Sequence, residues 1–164
     1  MFLVDIRYCS LKDLNEIYFI ERAAYEYPWP YEIFEADLKR KIGRIFYIGA
    51  WWEDKLCGFG TCRREKRKLK IMNLAVHPDF RRNKIGSQLL LAMGELGVSL
   101  GCKSVLLEVR VTNHPARLLY EQFGFKPIRL LSHYYQDGED AYLMESPLPF
   151  QIVLPKDNAE TQSE

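Results

Sequence analysis

The chain is short of the residues that build metal and redox sites. It has four cysteines, Cys9, Cys57, Cys62 and Cys102, and no two of them share C-x-x-C spacing, which excludes the usual zinc and thioredoxin-like motifs. Each lies among apolar neighbours, where a reduced, buried thiol is the ordinary outcome. The histidines His77, His114 and His133 stand far apart, without a second ligand at helical spacing, so no metal site is expected. Long hydrophobic runs are missing too. No stretch free of Asp, Glu, Lys and Arg exceeds ten residues, against the roughly 18 that a membrane-crossing helix needs. Asp5 and Arg7 interrupt the N-terminal apolar run before it could form a signal-peptide core, and a cytoplasmic location without membrane contact is the expectation. Excess charge of either sign is also lacking: 23 basic and 22 acidic residues leave a net +1, so overall charge would hold no polyanion.

What remains is an ordinary globular composition. Of 164 residues, 48% are apolar and 27% charged, which suits one domain on the usual scale of about 150 residues each. The domain is placed at 1–150 and a loose tail at 151–164, because Pro155 to Glu164 carries three acids, one lysine and no large apolar side chain. Residues 3–8 alternate as a strand does, and Ser10 with Asp13 forms a capping pair ahead of Leu11, Leu14, Ile17 and Ala24. Pro28 and Pro30 end that helix, and Tyr31 to Arg40 reads as a second one with Phe34 and Leu38 on one side. Arg44 to Trp52, Leu56 to Arg63 and Leu69 to Val76 read as an antiparallel meander. The period then changes: Ile85, Leu89, Leu90, Met93, Leu96 and Leu100 form a long helix stopped at Gly101. Ser104 to Val111 is a strand, and Asn113 with Pro115 opens a helix ending at Phe123-Gly124. Phe125 to Tyr134 and Ala141 to Met144 flank a turn as a terminal hairpin. The pattern predicts an α+β fold with a mixed, mostly antiparallel sheet of about seven strands flanked by four helices.

Three segments carry chemistry. In NLAVHPDFRRNKIGSQLL, residues 73–90, a strand passes through a basic turn into a helix. Unpaired N–H groups and the helix dipole at such a start attract phosphate oxygens, and Arg81, Arg82 and Lys84 add charge; an ordinary loop with solvated bases is the plainer alternative. In LLEVRVTNHPARLLYEQFGF, residues 106–125, Glu108 interrupts an apolar strand. A carboxylate facing a cleft there would be desolvated toward the basicity of a general base, whereas a solvated or arginine-paired one would be structural. Tyr120 follows among Leu118, Leu119 and Phe123. The third segment is HYYQDGEDAYLM, residues 133–144.

Together with the YPWP turn at 27–30, these segments resemble the GNAT superfamily of acetyl-CoA-dependent N-acetyltransferases over about residues 3–147. The superfamily's R/Q-x-x-G-x-G/A motif is met by Arg81-Arg82-Asn83-Lys84-Ile85-Gly86, with Lys84 in place of the first glycine. The stretch E-V-R-V-T-N-x-x-A-x-x-L-Y-E-x-x-G-F, Glu108 to Phe125, is similar to the RimI-type protein N-terminal acetyltransferases in particular. The resemblance implies that the backbone of Arg82, Asn83, Lys84, Ile85, Gly86 and Ser87, with Arg81 alongside, holds the pyrophosphate of acetyl-CoA. It implies that Leu74, Ala75 and Val76 align the cofactor and aim an N–H at the acetyl oxygen, with Asn113 and Tyr120 along the pantetheine arm. Glu108 becomes the base, Tyr120 the proton donor to the departing thiolate, and Tyr27, Pro28, Trp29, Tyr134 and Tyr135 the lining of a peptide groove.

The implied reaction is direct acetyl transfer to the N-terminal α-amine of a protein, a ribosomal protein among the candidates, with no metal and no acyl-cysteine. Acetylation of lysines or small amines is one alternative, and a non-catalytic coenzyme A or ribosome-binding module is another. A lysine held in left-handed geometry costs roughly 1–2 kcal/mol, so weaker cofactor binding than with a glycine at 84 is expected. The run Arg63 to Lys70 holds six bases and one acid. It reads either as a solvated hairpin tip or as a docking patch for an acidic partner or ribosomal RNA.

Overall fold

The computed structural model describes residues 3–40 and 45–153. Within them the chain runs β1 (Asp5–Tyr8), α1 (Leu14–Ala24), α2 (Tyr31–Lys39), β2 (Ile45–Trp52), β3 (Lys55–Glu65), β4 (Lys68–Val76), α3 (Ile85–Ser99), β5 (Ser104–Arg110), α4 (His114–Gln122), β6 (Lys126–Leu131) and β7 (Ala141–Pro147). The strands form one sheet in the order β1-β2-β3-β4-β5-β7-β6, antiparallel except between β4 and β5. This is the expected α+β arrangement. Arg44, read as the start of a strand, lies outside the described residues, as does the tail beyond Val153. Phe150 lies against Phe123 and Phe125, and beyond it the Val153 N–H donates to the Gln122 carbonyl at 2.8 Å.

Much of β2 and β3 is buried on both faces, which is why IFYIGAW and LCGFGTC are nearly continuous apolar runs, broken only by the hydrogen-bonded Thr61, rather than alternating ones. On one face Ile17, Ile20 and Phe34 of α1 and α2 pack with Tyr47, Trp51 and Phe59. On the other, Ile85, Leu89 and Met93 of α3 pack with Ile48, Cys62, Leu69 and Val105. Each fully buried side chain of this size stabilises the fold by roughly 1.5–3 kcal/mol. A Cβ at Gly60 would stand 2.9 Å from the Met93 methyl, so glycine there lets α3 settle close on β3.

The sheet is interrupted at one place. β4 and β5 pair only at Lys68↔Ser104, Leu69↔Val105 and Lys70↔Leu106. Immediately afterwards Cys62 faces Ile71 while Thr61 faces Asn73, leaving Met72 as an extra residue on β4. Such a bulge bends its strand and increases the local twist. Beyond Lys70 the strand therefore parts from β5, which stays paired with β7 as far as Arg110. A wedge-shaped gap opens, with residues 73–76 on one side and 107–110 on the other.

Several expected boundaries move by one to three residues, and the one that bears on the site is the end of β6. β6 stops at Leu131, so Tyr134 and Tyr135 belong to the β6–β7 loop and not to a strand. His133 and Gly138 take left-handed backbone, and Arg110 draws Asp137 and Glu139 inward at 2.8 and 2.7 Å, which folds the loop back over the gap side of β5.

Candidate active site

The exposed edge of β4 follows from hydrogen-bond alternation. The His77 N–H donates to the Cys57 carbonyl at 2.7 Å, and in an antiparallel pair the bonded residues alternate. Ala75 and Asn73 therefore spend their backbone groups on Phe59 and Thr61 of β3, while Leu74 and Val76 turn theirs toward the gap. Of the three residues expected to align the cofactor, Ala75 is thus placed with its main chain facing β3 and its side chain in the core beneath α1. The Leu74 carbonyl is already engaged, since the Tyr25 hydroxyl donates to it at 2.8 Å.

Beyond Val76 the chain turns through the basic segment. Arg82 and Lys84 both adopt left-handed backbone, with φ of 65° and 58°, and Lys84 occupies the N-cap of α3. Asn83 Nδ2 donates to the Phe80 and Arg81 carbonyls at 3.2 Å, and Arg81 reaches the Ala23 carbonyl at 3.5 Å, so both side chains brace the turn. The N–H groups of Ile85, Gly86 and Ser87 open α3 and have no helical acceptor. A Cβ on Gly86 would meet only Leu119 at 3.5 Å and Val76 at 3.9 Å, so the space beside Gly86 lies between the end of β4 and α4. Open first-turn N–H groups, the clear approach beside Gly86 and exposed Arg82 and Lys84 fit the diphosphate of a coenzyme A thioester.

Lys84 thus takes the left-handed geometry expected of the motif position, at a cost of roughly 1–2 kcal/mol for a non-glycine residue. Gly86→Ala separates binding from stability. The added methyl is expected to weaken acetyl-CoA binding about tenfold or more, about 1.4 kcal/mol, in a calorimetric titration. The melting temperature should hold or rise, because alanine in a helix is favoured over glycine by roughly 0.5–1 kcal/mol.

Across the gap, Glu108 forms an ion pair with Lys70. The two side chains are only 17% and 15% exposed, and Lys70 stands on the last rung that β4 and β5 share. The partner is thus a lysine, not the arginine or bulk solvent considered from the sequence. Burial raises the Tyr134 hydroxyl, and the charge and hydrogen bonding of Glu108 raise it further. Burial pushes Tyr120 up to about 12. It does the same to Tyr135, also to about 12, against the opposing pull of Arg110, which lies 4.0 Å over its ring. Glu108, Tyr120, Tyr134 and Tyr135 therefore converge on the gap.

Other expected site residues are placed differently. Trp29 stacks on Phe34 at 5.9 Å and packs against the core beneath α1 and α2, so it anchors the YPWP turn, with Pro28 half-buried and Tyr27 exposed. Asn113 caps α4, its Oδ1 accepting the Ala116 N–H at 3.3 Å. In the basic run Arg63 pairs with Glu65, Lys68 with Glu145 and Lys70 with Glu108. The exposed charge at the β3–β4 tip is therefore carried by Arg64, Lys66 and Arg67. Among the described residues no His, Cys, Asp and Glu group is arranged to hold a metal, and no helix is long and apolar enough to cross a membrane.

Lys70, Glu21 and Tyr25 escaped the sequence reading. Glu21 had a visible mark, since it falls with Leu14, Ile17 and Ile20 on the buried face of α1. Burial pushes its carboxyl up to about 7, against hydrogen bonds from Asn73 and Trp29 that pull the other way. A carboxyl raised on folding from 4.5 to about 7 binds more protons folded than unfolded across that window. Stability should therefore fall by about 3 kcal/mol as pH rises from 4.5 to 7. Urea denaturation across that range is expected to show the decline in the wild type and to lose most of it in Glu21→Gln.

The sequence model of the acetyltransferase (GNAT) family matches residues 14–125, a span that contains the turn before Gly86, Glu108 and Tyr120. The N-alpha-acetyltransferase of Sulfolobus acidocaldarius is 38% identical over 157 residues, covering 88% of this chain and 92% of that protein. The ribosomal protein bS18-alanine N-acetyltransferase of Salmonella typhimurium is 30% identical over 142 residues, covering 85% and 94%. Among solved structures, the ribosomal-protein-S18-alanine N-acetyltransferase from Escherichia coli matches with a TM-score of 0.80 at 28% identity, over 95% of this chain and 98% of its own. A parted β4–β5 pair, an open helix start beside it and a carboxylate and tyrosine facing the gap go together with these likenesses: the chain belongs to the GNAT acetyltransferase family.

Proposed function

We propose that this chain transfers the acetyl group of acetyl-CoA to the N-terminal α-amine of a protein, by direct attack in a ternary complex. The convergence of Glu108 and Tyr120 on the gap between β4 and β5 carries the reading. The names of the Sulfolobus and Salmonella relatives support an α-amine acceptor. When bound, acetyl-CoA supplies the acetyl group as a thioester. The N–H groups of Ile85, Gly86 and Ser87 hold the diphosphate, with Arg82 and Lys84 adding charge. The edge groups of Leu74 and Val76 align the pantetheine arm, and the Leu74 N–H points to where negative charge develops on the carbonyl oxygen. Glu108, oriented by Lys70, accepts the amine proton, and Tyr120 offers its hydroxyl to the departing sulfur. Tyr27, Tyr134 and Tyr135 line the acceptor side.

The amine chemistry agrees. At pH 7 roughly one-tenth of an α-amine is neutral, and the neutral fraction of a lysine is about 250-fold smaller, so an N-terminal acceptor demands less of Glu108. A ribosomal protein as substrate draws support from the name of the Salmonella relative, and exposed Arg64, Lys66 and Arg67 suit an acidic surface near the acceptor. Intact-mass analysis tests the reading: acetyl-CoA is incubated with peptides beginning Ala, Ser or Met and with N-blocked lysine peptides. Mass gain on the free N-termini alone is expected. Gain on the lysine peptides alone, or on none, overturns it.

A further inference from the structure

The C-terminal end of α1 touches β4 at Asn73 and Leu74 through two side chains, Glu21 and Tyr25, that the transfer chemistry does not use. Glu21 is fully buried, and both its carboxylate oxygens accept from Asn73 Nδ2 at 2.9 Å. The Trp29 N–H approaches the same carboxylate at 3.5 Å, and Asn73 Oδ1 accepts from Thr61 Oγ1 at 3.1 Å. One helical turn on, the Tyr25 hydroxyl holds the Leu74 carbonyl at 2.8 Å. The segment spanned by these contacts, 25–30, contains the YPWP turn, and its far end is pinned by Trp29 on Phe34.

An enclosed carboxylate is a costly way to seat a helix on a sheet, since apolar groups of similar volume do so without desolvating a charge. What the carboxylate adds is direction: it accepts from β4 and from the turn at once. Because its oxygens face Asn73 and Trp29, Glu21 does not present itself to an amine in the gap. We infer that Glu21 and Tyr25 are positioning residues, fixing the acceptor-side turn 25–30 against the cofactor-facing edge of β4 so that amine and acetyl carbonyl meet in register. A misplacement of about 1 Å can cost on the order of 10²-fold in rate. The inference rests on the α-amine acetyltransferase reading.

Exchange of donor and acceptor tests it. Glu21→Gln sets an amide N–H against the Asn73 N–H, whereas the double exchange Glu21→Gln with Asn73→Asp restores one donor–acceptor contact between the two side chains with its polarity reversed, while the amide oxygen still accepts from the Trp29 N–H and the Thr61 hydroxyl keeps an acceptor. Initial rates are measured on the full chain with acetyl-CoA and a peptide bearing a free N-terminus. Glu21→Gln is expected to raise the peptide KM about tenfold, within that cost of misplacement, with the KM for acetyl-CoA near wild type. The double exchange should recover most of the loss, and Tyr25→Phe should raise the peptide KM alone. An unchanged peptide KM in both single variants, a parallel rise in the acetyl-CoA KM, or a double exchange as impaired as Glu21→Gln overturns the inference. Amide hydrogen exchange over 25–30, read by mass spectrometry, needs no turnover. It should be faster in Glu21→Gln than in the wild type and the double exchange, and equal rates overturn the inference. If the wild type acetylates no N-terminus, the functional reading fails by itself, and the exchange rates still decide this one.

Discussion

Glu108→Gln is expected to lower turnover by about 10²–10⁴, the usual contribution of a positioned base, while acetyl-CoA binds as tightly as before. Glutamine keeps the size of the side chain and an acceptor for the Tyr134 hydroxyl. What disappears is the proton acceptor and the ion pair with Lys70. The pair sits where β4 and β5 last touch, so Lys70 holds the carboxylate at the apex of the gap, the place where the proposed mechanism has the incoming amine shed its proton. Single-turnover rates with preloaded acetyl-CoA read the chemical step directly, and a calorimetric titration reads the cofactor. Turnover within a factor of three of wild type would remove Glu108 from the mechanism.

Tyr120→Phe is expected to lower kcat by about 10², the scale of one hydrogen-bond donor aimed at developing charge. The hydroxyl is buried and pushed up to about 12, whereas a thiol ionises near 8.5. Complete proton transfer to the sulfur is therefore uphill, and on the proposed mechanism Tyr120 acts by hydrogen-bonding the charge as it forms. The sign of the pH dependence follows. A tyrosine is competent while protonated, so raising its pKa extends the active range upward, and no alkaline loss below about pH 12 should trace to Tyr120. A rate profile in which the wild type falls near pH 10 and Tyr120→Phe does not would contradict this role.

The order of elements was open to view in the chain because its causes are local. Helical spacing in 85–100, the Ser10 and Asp13 cap, and the glycines at 101 and 124 with their left-handed backbone act within a few residues of themselves. The motif around Gly86 and the stretch from Glu108 to Phe125 were equally plain, since each lies within one strand–turn–helix unit. The orientation of Trp29 was not legible because a turn aromatic can face either way, and packing on Phe34 decides it. The basic run looked like a charged patch because two of its partners, Glu108 and Glu145, lie 38 and 77 residues away.

By itself the sequence determined the α+β architecture and marked the basic turn before Gly86, Glu108 and Tyr120 as the residues of interest. Only the tertiary structure decided how they become a site. The bulge at Met72 parts β4 from β5, Lys70 from one strand meets Glu108 from the other, and Glu21 and Tyr25 bring α1 onto Asn73 and Leu74. Each of these depends on register between strands or on a helix crossing a sheet. Such relations are set by packing between segments 38 to 52 residues apart, and no short-range pattern encodes them.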